Sequence, residues 1–128
     1  MIKFVSENEH QEAITFVRNF VNALSVNNVD AFQHFDKGSD HPNDAENIFK
    51  DFLTEYADKV NPSQIDSPYS LNLDQERANI YIYDDDSGFA LDYDLPIHKQ
   101  WSDFTAQFSF KRKTDSLYFV YLDAIHVL

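Results

Sequence analysis

The chain has 128 residues, with 22 acidic and 10 basic side chains and a formal net charge of −12. That sign disfavours direct nucleic-acid binding and anionic membrane surfaces, where affinity rests on Lys and Arg neutralising phosphate. With no cysteine there are no disulfides, no thiolate chemistry and no Cys-ligated zinc. The length fits one domain, residues 1–128. A composition of 43% hydrophobic and 16% aromatic residues can build a real core.

The first predicted element is a long helix from Glu7 to Val26. Ser6 and Glu9 have the spacing of a capping box, and Ile14, Val17, Val21 and Leu24 recur at helical intervals. Val29, Phe32 and Phe35 predict a short second helix, and Lys37 to Pro42 a polar turn around Gly38. Asn43 and Glu46 repeat the capping spacing ahead of Ile48, Phe49, Phe52, Leu53 and Tyr56, which mark a third helix ending before Asn61-Pro62.

From there the period changes from 3.6 to 2. Tyr69, Leu71 and Leu73 alternate with polar residues and predict a strand. Ile80 and Ile82 form a second, and Phe89, Leu91, Tyr93 and Leu95 a third after the Asp84–Gly88 turn. Phe104, Ala106, Phe108 and Phe110 form a fourth after a loop at Pro96–Gln100. Leu117–Leu122, apolar on both faces, reads as a central strand bent at Asp123. The expected fold class is α+β: three N-terminal helices packed on a curved antiparallel sheet of about five strands.

Catalytic and metal motifs do not emerge. The five histidines, His10, His34, His41, His98 and His126, have no chelating spacing, although His41 lies near Asp40 and Asp44, and His126 follows Asp123 by three residues. Asp84-Asp85-Asp86-Ser87-Gly88 resembles a calcium loop only briefly, since the later ligand positions are missing, and it reads as a hairpin turn. There is no nucleophile elbow, Ser102 has no activating neighbour in sequence, and two glycines cannot build a phosphate loop. No cofactor and no catalytic residue are expected, and the protein is read as a non-enzyme. Met1 to His10 lacks the apolar run of a signal peptide, which makes the cytoplasm the default location.

The most informative stretch is 78–98, which has five Asp and neither Lys nor Arg. If Ile80, Ile82, Phe89, Leu91 and Tyr93 face the core, then Tyr81, Tyr83, Asp92 and Asp94 share the outer face, extended by Asp84, Asp85 and Asp86. Tyrosine beside acid suits a protein interface: rings anchor, charges steer, and the complement is a basic protein. Trp101 is a further candidate anchor, although a core position is the commoner fate of a Trp.

Two resemblances add to this reading. Ile14–Phe35, ITFVRNFVNALSVNNVDAFQHF, resembles the opening helices of the nuclear-transport-factor-2-like (cystatin-like α+β) superfamily, which implies a curved sheet wrapped on helices, often with a pocket and often dimeric. Its members include isomerases, dehydratases, binding modules and toxin-immunity proteins. The C-terminal third, with Asp94-Leu95-Pro96, Trp101-Ser102-Asp103-Phe104-Thr105-Ala106 and Leu122-Asp123-Ala124-Ile125-His126-Val127-Leu128, resembles small bacterial proteins sharing W-S-D-L-T-A and a terminal L-D-D-I-H-V. This chain departs from them at Phe104 and Ala124, so a carboxylate pair at the second site is missing. The resemblance, with size and charge, implies an immunity protein that neutralises a basic toxin domain, a nuclease above all, as in contact-dependent growth inhibition. The alternatives are a small-molecule binder or enzyme with a helix–sheet pocket drawing on Tyr56, Tyr93, Asp103 and His126, and a stand-alone interaction domain, for which a homodimer is one form.

Overall fold

The computed structural model describes residues 1–5, 7–37 and 44–127. Expected features at Ser6, at the Gly38 turn, at Asp40 and His41, and at the Asn43 cap lie outside these residues. The described chain runs β1 (Ile2–Lys3), α1 (Glu9–Ser25), α2 (Ala45–Glu55), three short 3-10 turns at Pro62–Gln64, Pro68–Ser70 and Leu73–Gln75, then β2 (Ala78–Ile82), β3 (Gly88–Ile97), β4 (Gln100–Arg112) and β5 (Leu117–Val127). The strands form one open antiparallel sheet in the order β1-β5-β4-β3-β2.

α1 starts later than the sequence suggests. Its cap is Asn8, whose side chain accepts from the Gln11 N–H at 3.2 Å, with Glu9 and Glu12 in the first turn where the helix dipole favours acid. It ends in a Schellman arrangement: Asn27 takes φ 57°, its N–H bonds to Leu24 at 3.1 Å, and the Asn28 N–H bonds to Ala23 at 3.0 Å. Asp44 caps α2 by accepting from the Asn47 N–H at 2.9 Å.

Two expected elements are corrected. Among the described residues there are two α-helices and not three, because 29–35 folds as successive i→i+3 turns, Ala31 to Asn28, Gln33 to Asp30 and Phe35 to Phe32. Seven residues are too few to nucleate a helix without help. The turns instead aim Phe32 and Phe35 at Phe20, with ring centroids at 5.6 and 4.8 Å. The expected strand at Tyr69–Leu73 is also absent. Ser67 and Asn72 each cap a 3-10 turn, accepting from the N–H groups of Tyr69 and Asp74, and Pro68 sits inside the first of them. The fifth strand is β1, whose two residues pair with Tyr118 and Leu117.

The other strands follow their alternation. The Pro96–Gln100 loop is tighter than expected: Ile97 pairs with Gln100, and His98 and Lys99 both take positive φ, 56° and 63°. That is the signature of a two-residue hairpin turn matched to the sheet's twist. The bend at Asp123 is a bulge, since Gln107 pairs with Ala124 while the next residue, Phe108, pairs with Leu122.

Both helices cover one face of the sheet. Val17, Val21, Leu91, Tyr93, Phe108, Phe110, Val120 and Leu122 form one contiguous core with Phe52 and Phe89. Aromatic rings fill the layer: Phe35 stacks on Phe108, Phe89 on Phe110, and Phe52 meets Phe104 edge-on. No helix among the described residues is long and apolar enough to cross a membrane.

Candidate partner-binding surface

The sheet face turned away from the helices carries the predicted acidic and tyrosine residues in rows. Cross-strand register sets Asn79, Asp92, Gln107 and Ala124 in one row, and Asp94, Thr105 and His126 in the next. Tyr81, Ala90, Ser109 and Tyr121 make a third. Leu91 and Tyr93, between these positions, are buried on the opposite side, so alternation sorted this region as expected.

The acids divide into two kinds. Asp94 is tied down: it accepts from the Thr105 hydroxyl at 2.7 Å and pairs with the Arg77 guanidinium at 2.6 Å, which also reaches Asp103 at 3.7 Å. Asp92 is half-buried beside it, and burial pushes its carboxyl up, opposed by a hydrogen bond from Gln107 and the nearby His126. Asp84, Asp85 and Asp86 are exposed at the β2–β3 turn. There Asp85 accepts from the Ser87 hydroxyl and from the Ser87 N–H at 3.0 Å, which together hold the Asp85 carboxyl below its usual range, and Asp86 pairs loosely with Arg112 at 3.9 Å. The turn is a hairpin, as its sequence suggested: the Tyr83 N–H bonds to the Gly88 carbonyl at 3.1 Å.

The half-buried carboxyl of Asp92 gives a direct test. Its ionised form is disfavoured in the folded state, so the penalty is present at neutral pH and fades as pH falls through the carboxylate range. Asp92→Asn is expected to raise the thermal midpoint at neutral pH, with the gain vanishing in acid; a melting series across pH reads both.

The aromatic candidates separate as well. Tyr81 is 53% exposed, whereas Tyr83 is half-buried, and its hydroxyl lies 3.4 Å from Ser109, which in turn donates to Asp123. Trp101 stands at the other end of the β3–β4 hairpin, with its ring edge-on to Tyr93 and its indole N–H donating to the Asn72 carbonyl at 3.1 Å. It is not brought together with Tyr81 and the acidic turn. A residue the sequence reading assigned to the core is exposed instead. Ile82 pairs with Phe89 on the helix-facing side, yet it is 64% exposed at the corner of the edge strand. Tyr81 and Ile82 thus stand exposed on opposite faces of the same edge strand, both next to the acidic Asp84–Asp86 turn at its end. The absence of Lys, Arg and Pro from Ala78–Ile82 was the available signal.

The residues expected to line a helix–sheet pocket are not assembled. Tyr93 is fully buried, Tyr56 packs on Phe52 and Phe104, Asp103 is exposed and His126 is on the outer face. An open groove of about 580 Å³ lies beside α1, lined by Ile2, Phe4, Phe16, Gln11, Thr15 and Asn19. No group of three or more His, Asp or Glu side chains among the described residues is placed to hold a metal ion.

No curated protein and no solved structure matches the chain. One family model, described as a domain of unknown function (DUF7668), matches residues 21–128, which takes in the last turn of α1, all of α2 and strands β2 to β5. The chain belongs to the DUF7668 family.

Proposed function

We propose that this domain works by binding and neutralising a basic protein, as an immunity protein does a toxin domain, with a nuclease the best match to its charge. The observation that carries this reading is the end of the β2 edge strand, where Tyr81 and Ile82 stand exposed beside three acids in sequence. An exposed ring on one face of the edge strand and a branched aliphatic on the other give apolar anchors to a partner that grips that edge, and adjacent charge steers a basic surface toward it. The chain-wide charge of −12 acts in the same direction at longer range. Two helices on one face of an antiparallel sheet also suit the nuclear-transport-factor-2-like arrangement, with the outer face left for a partner.

The test is to purify the tagged protein from its native host with its neighbouring genes expressed, identify a stoichiometric basic partner, and ask whether this protein abolishes that partner's toxicity. Association is expected to slow as salt rises, and Asp84→Lys combined with Asp85→Lys to slow it further, with little change in dissociation. Tyr81→Ala is expected to act on dissociation, weakening binding by about 2 kcal/mol, roughly thirtyfold. A partner that binds equally well at high salt, or to the Lys variant, would sink the steering role.

A further inference from the structure

The two edges of the sheet are finished differently. At one edge β1 covers the start of β5, and beyond it Asp36 closes the strand: its N–H bonds to the Val120 carbonyl at 2.8 Å, and its carboxylate accepts from the Val120 N–H at 2.9 Å. At the other edge β2 has no such cover. The Arg77 carbonyl accepts from the Asp94 N–H, and the Tyr83 N–H donates to the Gly88 carbonyl, so the odd-numbered residues of β2 bond inward to β3. By alternation, the N–H and C=O groups of Ala78, Ile80 and Ile82 point outward, and none meets a partner among the described residues. The edge also carries no Lys, Pro or bulge, the usual devices that prevent strand addition.

We infer that the open edge of β2 receives an extended strand of the basic partner. The inference rests on the basic-partner reading above and adds its mode of attachment. The added strand bonds through its backbone to Ala78, Ile80 and Ile82. Its alternate side chains fall on two faces. On the helix-facing side apolar residues cover Ile82, and on the outer side Lys or Arg lies over the Tyr81 ring. Beyond the end of the strand an open concavity of about 500 Å³, lined by Ile82, Tyr83, Asp84, Asp85 and Ser87, takes a further cation. A second copy of this chain fits less well. Antiparallel self-pairing centred on Ile80 brings the Asp84–Asp86 turn of each chain toward the exposed Asp74 of the other, acid against acid.

The test is hydrogen exchange by NMR on the full chain, titrated with the capped synthetic peptide KVKVKV. At saturation the amides of Ala78, Ile80 and Ile82 are expected to exchange at least about tenfold more slowly, while Tyr81, already bonded inward, does not change. The same peptide N-methylated at alternate residues is expected not to bind. Shifts confined to Asp84–Asp86, or equal binding of the methylated peptide, would overturn strand addition and leave the basic-partner reading standing. Equal binding of EVEVEV would keep strand addition and overturn the basic chemistry beneath it. Protection of the three amides without peptide, with a dimer in sedimentation, would replace the partner strand by a second copy. No binding of any peptide would overturn the inference outright.

Discussion

Gly88→Ala is expected to destabilise the fold by about 3 kcal/mol or more, among the largest effects of any single methyl group here. Gly88 has φ +145°, a conformation that L side chains rarely adopt. A Cβ there would overlap the Phe110 carbonyl oxygen and come within 3.0 Å of the Phe110 carbon and 3.1 Å of the Lys111 Cα. All of these are backbone atoms of β4, held in register with β3, so no flexible side chain can move aside. Relief requires the β3–β4 pair to part at Gly88, the point where the β2–β3 hairpin closes on the Tyr83 N–H. Urea unfolding reads the effect as a lowered midpoint at constant slope. Ser87→Ala, one residue away and exposed, is the control and is expected to shift the midpoint little. Because the hairpin also presents Asp84–Asp86, a folded Gly88→Ala protein is expected to lose partner steering together with stability.

The parts of the fold legible in the sequence are those where one local pattern meets no competitor. Phe89, Leu91, Tyr93 and Leu95 alternate without interruption and do face the core. Gly88 marks a turn whose backbone needs glycine, and the apolar run ending at Asp123 breaks where the bulge lies. Tyr69, Leu71 and Leu73 show the same alternation but sit among Ser67, Pro68 and Asn72, whose side chains and ring favour local turns over a ladder. In 29–35 the aromatic stripe is real, but it is satisfied by turns that reach Phe20 and Phe108 as well as a helix would. β1 is two residues long and has no pattern to read; its place comes from pairing with residues more than a hundred positions away. Ile82 shows the limit of alternation for locating a surface. Period 2 gives the side of the sheet a residue is on, whereas exposure depends on whether a helix lies over that corner.

A second class of feature, a buried ion pair remote in sequence, left no local trace. Arg18 on α1 donates to both carboxylate oxygens of Glu76, at 2.9 and 2.7 Å, and the Tyr93 hydroxyl donates to the same carboxylate at 2.6 Å. The Arg18 and Glu76 side chains are only 17% and 8% exposed. The hydrogen bond to Glu76 holds the Arg18 guanidinium well above its ordinary range, despite burial acting the other way. Glu76→Ala is expected to cost about 3–5 kcal/mol, because it strands a guanidinium and a phenol in the core. Arg18→Met combined with Glu76→Leu is expected to recover the share due to the stranded guanidinium, leaving only the cost of the unpaired Tyr93 hydroxyl. A double-mutant cycle in urea reads the coupling. The triad also imposes an alkaline limit. Burial, reinforced by the carboxylates of Glu76 and Glu9, raises Tyr93 and Tyr118 above the usual phenol range. The unfolded tyrosines release their protons near pH ~10 while the folded ones keep theirs, so stability is full below that pH and falls above it by up to about 1.4 kcal/mol per pH unit for each tyrosine. Tyr93→Phe is expected to make that decline shallower. Glu76 directly precedes Arg77 and β2, so the same triad fixes where the open edge begins. Loosening it with Glu76→Ala is expected to weaken partner binding as well as stability, although Glu76 lies on the core side and is only 8% exposed.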